Sequence, residues 1–532
     1  MDTSTYNLID QPWIPVRWAA GARSRSDEDL PDRVGLAQLL LRSADIAGLA
    51  VAEPPAHSAL LRVLYALAAR VTGLDEAGRG DWDERRLDVL EGGRLPGEKI
   101  EEYFDRYRDR FYLFDGQGGR PWMQDPRLLE QCDGSNTAGV NKLIMTRPSG
   151  NNHAWFRHGH DAAPDLPSTA DAVLHLLIWH YYGPSGRCSA REVDGVKSAS
   201  ATAGPLRTAL SYHPEGATFF HTLLAGLIAP PGNVRREEDQ CPWEWEELPD
   251  PADPPPVPRG LCSRLTACSQ HALLLMPNDD GSRVRDAYIT WAYRSGRIPR
   301  DDDYVIWQTS QQNNRYPRPA DAARALWRDL DALLLEHPPG TAQPKQPRVF
   351  DSVYEIAEEM RVRALGFDQE GQVKNTQFID ATTPMVLRLL EQRQPRTAPA
   401  VGRLRQLGEL YGTRLQRAVK RAWREYIDEP KASGETWAAA AAARYWPHAE
   451  AAFWTHFNAL DRTGAALNGG LDAPGARRDF LRLAVTAYEA VTAPVTRTQP
   501  GARAVSRARV ELYGGVRKKK TPAAAAEEGP QP

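Results

Sequence analysis

From residue 383 onward the chain repeats apolar side chains every three or four positions almost to its end, and no other feature constrains its fold as much. Leu404, Leu407, Tyr411, Leu415, Val419 and Trp423 mark one stripe of a long helix, and residues 438–460, 476–491 and 502–513 keep the same period. Thr383-Pro384 pairs a capping hydroxyl with a proline at the first helical position, so helix is expected to begin there. Pro447 brings no N–H and is expected to kink or split the segment 438–460. Helices of this length joined by short connections pack as an antiparallel four-helix bundle, expected over residues 376–513. Residues 514–532 carry Arg517-Lys518-Lys519-Lys520 and then a low-complexity run of Ala, Glu and Pro, a composition expected to stay disordered.

The preceding 375 residues have a different texture. A chain of 532 residues exceeds what one hydrophobic core supports, so more than one domain is expected. Residues 6–17 are β-formers broken by Pro12 and Pro15, the pattern of an edge strand with turns. Residues 55–72 have helical spacing, and 171–182 read as an apolar helix stopped by Gly183-Pro184. Residues 273–276 and 287–291 read as strands. The stretch 185–205 is small and polar without a period and reads as a long loop, and the proline-rich, acidic stretch 241–258 as a surface excursion. The fold class that follows is α+β: a large mixed domain over 1–375, then the bundle.

Composition excludes several function classes. The net charge is only −3, so contact with nucleic acid must come from local patches. The five cysteines are scattered, with no CxxC pair, which suits a reducing, cytoplasmic setting and no metal. No apolar run is long enough for a membrane span. There is no GxxxxGK[ST] phosphate loop, no GxSxG elbow and no HExxH helix, so no catalytic residue and no cofactor is expected.

Three segments carry recognition chemistry. Residues 149–158 include Asn152, Trp155, Phe156, Arg157 and His158, which combine ring faces that stack on unpaired bases with groups that reach base edges and phosphates. Gly195, Val196, Lys197, Ser198 and Ala199 are nearly free of bulk, so backbone can approach a groove floor while the lysine reaches a phosphate or acceptor. Arg403, Arg414, Arg417, Arg421 and Arg424 form one basic stripe opposite the Leu/Trp face, which suits phosphate tracking. A rival reading takes His158, His160 and Asp161 as ligands of a metal-dependent nuclease or hydrolase.

Taken together, these residues resemble the CasA family, the large subunit of the type I-E CRISPR Cascade complex. The resemblance is carried by Asn7-Leu8-Ile9-Asp10 with Trp13-Ile14-Pro15-Val16-Arg17, by Phe111-Tyr112-Leu113 with Arg120-Pro121-Trp122-Met123-Gln124, and by the spacing from Lys142-Leu143-Ile144 to Phe156. It implies a non-catalytic subunit of an antiviral, RNA-guided surveillance complex. Such a subunit recognises the protospacer-adjacent motif (PAM) of double-stranded DNA through the minor groove, starts duplex opening toward an R-loop, and recruits a helicase-nuclease. The implied partners are crRNA, target DNA, the other Cascade subunits and that effector. By position, the segment from Gly195 to Ala199 is similar to the family's glycine loop, although this chain has one glycine there. Gln369 or Gln372, in a hairpin before the bundle, corresponds to the family's wedge. The family's lysine finger has no lysine counterpart near 287–293, where Arg283, Arg285 or Arg294 are the alternatives. Only Cys262 and Cys268 stand where some relatives carry a cysteine cluster.

Overall fold

The computed structural model describes residues 6–22, 30–76, 79–114, 119–149, 161–232, 234–298, 301–336, 345–353, 356, 360–371, 374–462 and 473–515. The chain forms two compact units, Met1–Leu326 with Ala332–Arg393, and Trp327–Asp331 with Gln394–Pro532.

The first unit is organised on the helix Pro54–Thr72. Pro54 enters at the first turn, where its missing N–H costs nothing, and Gly73 ends the helix in a left-handed conformation at φ +70°. Every residue from Pro54 to Val71 is buried, so this helix is core on all sides and not a one-faced surface element. Each Leu or Val removed from water there contributes roughly 1.5–3 kcal/mol. Its two buried arginines are paired. Arg62 lies 2.8 Å from Asp302, and Arg70 meets Asp75 and, at 2.7 Å, Glu244. The helix Thr169–Tyr182 packs beside it, started by Ser168, whose hydroxyl accepts from the Asp171 amide at 3.1 Å.

The opening segment folds back on the chain's next motif. Leu8 N–H donates to the Phe111 carbonyl, Leu113 N–H to Tyr6, and Asn7 Nδ2 to Arg108, while Trp13 and Trp122 meet at 6.3 Å. Strand β1 (Ile14–Trp18) lies between β2 (Arg33–Val34) and β3 (Ile46–Leu49), so it is central and not the expected edge. Proline is tolerated because β2 is only two residues long and Pro15 needs only to accept, from the Ala50 amide at 2.9 Å.

The residues expected as a long loop over 185–205 instead form an antiparallel hairpin of β4 (Gly186–Val193) and β5 (Val196–Ala201). Asp194 and Gly195 turn it, both at positive φ (+52° and +72°), the geometry for which Asp-Gly is suited. Strand β6 (Ser211–Glu215) joins a later sheet, and β7 (His271–Pro277) pairs with β8 (Val284–Trp291) where strands are expected. Strands β9 (Trp307–Thr309) and β10 (Arg315–Pro317) form a short ribbon. Strand β11 (Arg361–Glu370) then pairs with β12 (Lys374–Thr382) and β6, in the order β12-β11-β6. The stretch 241–258 is only partly an excursion. Cys241, Trp243 and Glu244 are buried, and Trp243 Nε1 donates to the Tyr103 hydroxyl at 2.8 Å.

Thr383 closes this sheet and does not start a helix: its hydroxyl accepts from the Val362 amide at 2.9 Å. Residues 376–393 stay with the first unit. The second unit packs the helices Thr397–Ile427, Glu435–Arg462, Ala473–Thr492 and Gln499–Ala508 together. Trp423 faces Trp437 at 5.1 Å, and Tyr445 donates to the Gly408 carbonyl at 2.8 Å, so the first two helices run antiparallel. Gly408 and Gly412 make the close approach possible. A Cβ on either would come within 2.6 Å of Trp327 or 2.4 Å of Trp446. Pro447 lies inside its helix without dividing it. The structure is thus the α+β arrangement with a C-terminal bundle that the periodicity indicates.

Candidate nucleic-acid interface

The β4–β5 hairpin is held from beneath by one buried guanidinium. Arg191 is fully buried. Its Nη2 lies 2.7 Å from Asp125 and 2.6 Å from the Gln131 amide oxygen, and its Nη1 donates to the Trp291 carbonyl at 3.1 Å. From β8, Trp291 Nε1 donates to the Ser198 carbonyl at 3.1 Å and Thr290 to Ser189 at 2.7 Å. Cys188, Val193, Ala201 and Trp291 close an apolar cluster under the ribbon. The turn itself faces outward: Gly195 has no atom within 4 Å of an added Cβ, Val196 is half exposed, and Lys197 is exposed beside its register partner Glu192. Ser198 and Ala199 are half-buried. Burial raises the Asp125 carboxyl, but Arg127 and Arg191 more than offset this and leave it below its usual range.

Of the three arginines proposed in place of a lysine finger, Arg294 is the one joined to this turn. Its Nη1 donates to the Val193 carbonyl at 3.0 Å, directly before Asp194. Arg283 instead donates to Leu166, and Arg285 is exposed on β8.

Asn152, Trp155, Phe156, Arg157, His158 and His160 lie outside the described residues. The chain on either side of them is placed. Asn141 Nδ2 donates to Asp161 at 2.7 Å, so the one described member of the proposed metal trio serves as a hydrogen-bond acceptor. Among the described residues no group of three metal-ligating side chains occurs. Lys142 Nζ donates to the Arg187 carbonyl on β4 at 3.0 Å, and Asn375 Nδ2 donates to the Met145 carbonyl at 3.3 Å. Asn375 is the register partner of Gln369 across the β11–β12 hairpin, beside an irregularity at Asp368/Gln369. Gln369 is half-buried, Gly371 turns at φ +61°, and Gln372 lies outside the described residues. The root of the aromatic segment therefore touches both hairpins.

In the second unit the basic stripe is unevenly available. Arg403 and Arg417 are exposed. Arg414 lies over the Tyr411 ring at 5.4 Å. Arg421 is bound at 2.8 Å by both Glu425 and Glu511, and Arg424 donates to the Ala432 carbonyl at 2.8 Å beyond the helix end. The stripe is thus interrupted by acids, one of them from a distant part of the sequence. Arg191, Asp125 and Asn375 were not singled out in the sequence, where the Asp194-Gly195 dipeptide was the available signal for the hairpin that Arg191 and Asp125 support.

Comparison with known proteins agrees with this architecture. The family model for CRISPR-associated protein Cse1 matches residues 7–487. A CRISPR-associated protein CasA/Cse1 of Thermus thermophilus is 27% identical over 343 residues, which cover 62% of this chain and 60% of that relative's length. A chain of a solved CRISPR RNA-guided surveillance complex superposes with a TM-score of 0.83 at 37% identity, covering 96% of this chain and 99% of that one. The structure of Thermus thermophilus CasA (Cse1) shares the fold at a TM-score of 0.72 and 21% identity, over 96% and 98% of the two chains. The chain belongs to the CRISPR-associated Cse1 (CasA) family.

Proposed function

We propose that this chain is the large, non-catalytic subunit of a CRISPR RNA-guided surveillance complex, and that it reads the PAM of double-stranded DNA through the minor groove. The observation that carries the reading is the junction at 142–145. There Lys142 holds the open end of the β4–β5 hairpin at Arg187, and Asn375, next to the turn of the β11–β12 hairpin, holds Met145, so both hairpins meet the chain that leads into the aromatic segment.

In this reading the Asp194-Gly195 turn approaches the groove floor with Val196, Ser198 and Ala199 offering little bulk. Lys197 and Arg294 supply the cations. Minor-groove readout is degenerate, so the preference is tolerant, and pairing with crRNA supplies most of the sequence specificity. Gln369 and Gln372 act as the wedge that starts strand separation. Asn152, Trp155, Phe156, Arg157 and His158 contact crRNA or the PAM-proximal strand. Arg414 and Arg417 track phosphates, with Arg421 and Arg424 contributing less because protein groups already engage them. The neighbouring Cascade subunits and the helicase-nuclease complete the partner set.

The test uses the chain assembled with crRNA and the other subunits. A 2-aminopurine at the first protospacer pair reports opening. Replacing Gln369 and Gln372 with Ala should slow opening and affect relaxed DNA more than negatively supercoiled DNA, since a wedge offsets only the first stacking step or two, about 1.4 kcal/mol each. Equal loss on both topologies would refute the wedge. Phe156→Ala should weaken assembly or target binding by roughly 1–3 kcal/mol while the chain stays folded.

A further inference from the structure

Behind the β4–β5 hairpin the first unit contains a cavity of about 90 Å³ that none of the roles above uses. We propose that it holds one unpaired nucleotide of a single nucleic-acid strand, with the base inside and the phosphate on Arg110 and Arg120. The inference rests on the nucleic-acid reading above.

The walls supply ring faces and positive charge together. Trp122 and Trp243 are buried and stack on one another at 6.0 Å, which makes a rigid aromatic floor, and half-buried Trp245 and Tyr293 are the rings within reach of a base. Base-on-aromatic stacking is the sequence-tolerant way to hold an unpaired base. The volume is far below the roughly 300–1,000 Å³ of a drug-sized ligand site, so it admits one planar group and leaves the remainder outside.

Arg127 is neutralised by Asp125 at 2.8 Å, but among the described residues neither Arg110 nor Arg120 has a carboxylate partner. Arg120 is instead aimed by three backbone carbonyls, those of Pro242, Trp245 and Glu246. Burial, and next the charge of Arg110, push its guanidinium pKa down to about 10. Met123, also in the lining, has a left-handed backbone at φ +53°, a conformation rare for a long side chain and frequent at binding sites. The cavity is continuous with the hairpin's supports. Asp125 lines it and pairs with Arg191, and Tyr293 precedes Arg294.

The test measures binding of the full chain to a short single-stranded oligonucleotide, to a duplex of the same sequence, and to free adenosine and cytidine monophosphates. Trp245→Ala should lower single-strand affinity roughly 5- to 150-fold, the effect of losing one stacked base. Arg110→Glu should also weaken it and flatten its salt dependence. Duplex affinity should hold in both variants. Unchanged single-strand affinity in both would overturn the inference, as would free nucleotides binding as tightly as the strand. Lys197→Ala reports separately on the groove reading: if it leaves the preference for PAM-bearing over PAM-less duplex intact while Trp245→Ala removes single-strand binding, the groove assignment falls and the cavity assignment stands.

Discussion

Asn375 Nδ2 donates to the Met145 carbonyl across 3.3 Å and 230 positions of sequence. One hydrogen bond of this kind contributes about 1 kcal/mol or less, so Asn375→Ala should leave the fold intact and lower Tm by no more than about 4 °C. It should nonetheless slow 2-aminopurine opening, because Gln369 stands opposite Asn375 in the ladder. Normal opening kinetics in this variant would separate the β11–β12 hairpin from the root of the aromatic segment.

Arg191→Met should be far more costly. It leaves the Asp125 carboxylate buried with Arg127 alone and removes the bond to Trp291, a loss on the order of 3–5 kcal/mol for breaking a buried pair. Urea denaturation measures the loss, and amide exchange across 186–201 locates it. A midpoint within error of the parent chain would mean that the hairpin is held by its apolar cluster instead.

Acid should destabilise the first unit through histidines as well as carboxylates. Burial lowers His175, His180 and His271 to about 4. In the unfolded chain these groups take up protons below about pH 6.5. Their neutral burial is therefore fully compatible with folding above that value, and stability falls as pH drops from about 6.5 toward 4, by up to about 1.4 kcal/mol per pH unit for each group. A urea midpoint that stays flat between pH 6.5 and 4.5 would contradict this.

The basic stripe should divide by availability. Arg417→Glu should weaken PAM-bearing and PAM-less DNA alike and flatten the salt dependence by roughly one unit of log–log slope per lost phosphate contact. Arg421→Ala should change binding less and thermal stability more, since it frees Glu425 and Glu511. An unchanged slope in Arg417→Glu would leave the stripe as a solvated helix face.

The bundle was legible because its apolar period is long and sustained. Leu404, Tyr411, Leu415 and Val419 are all buried as the spacing requires. Local signals failed where tertiary partners outbid them. Thr383 has the chemistry of a helix cap, but its hydroxyl is taken by the Val362 amide of β11. The β4–β5 ribbon was hidden because β5 is mostly small residues and β4 buries the polar Ser189 and Arg191 beside its apolar ones, so neither strand displays a hydrophobic period of two, and its stability comes from Arg191 and from β8, about a hundred residues away. The grouping at 142–145 depends on hydrogen bonds from Lys142 and Asn375 to backbone carbonyls, which carry no side-chain signature at all.

The Asp194-Gly195 turn, with Lys197 beside it, is the element proposed to read the PAM. Its most direct test is competition between PAM-bearing and PAM-less duplexes for the assembled complex carrying Gly195→Val or Lys197→Ala. Valine at φ +72° is strained and adds bulk at the turn, and alanine removes the exposed cation. Both variants should lose most of the preference for PAM-bearing DNA while keeping non-specific affinity within a few-fold. Preference equal to that of the parent complex in both would place the PAM reader elsewhere in the protein.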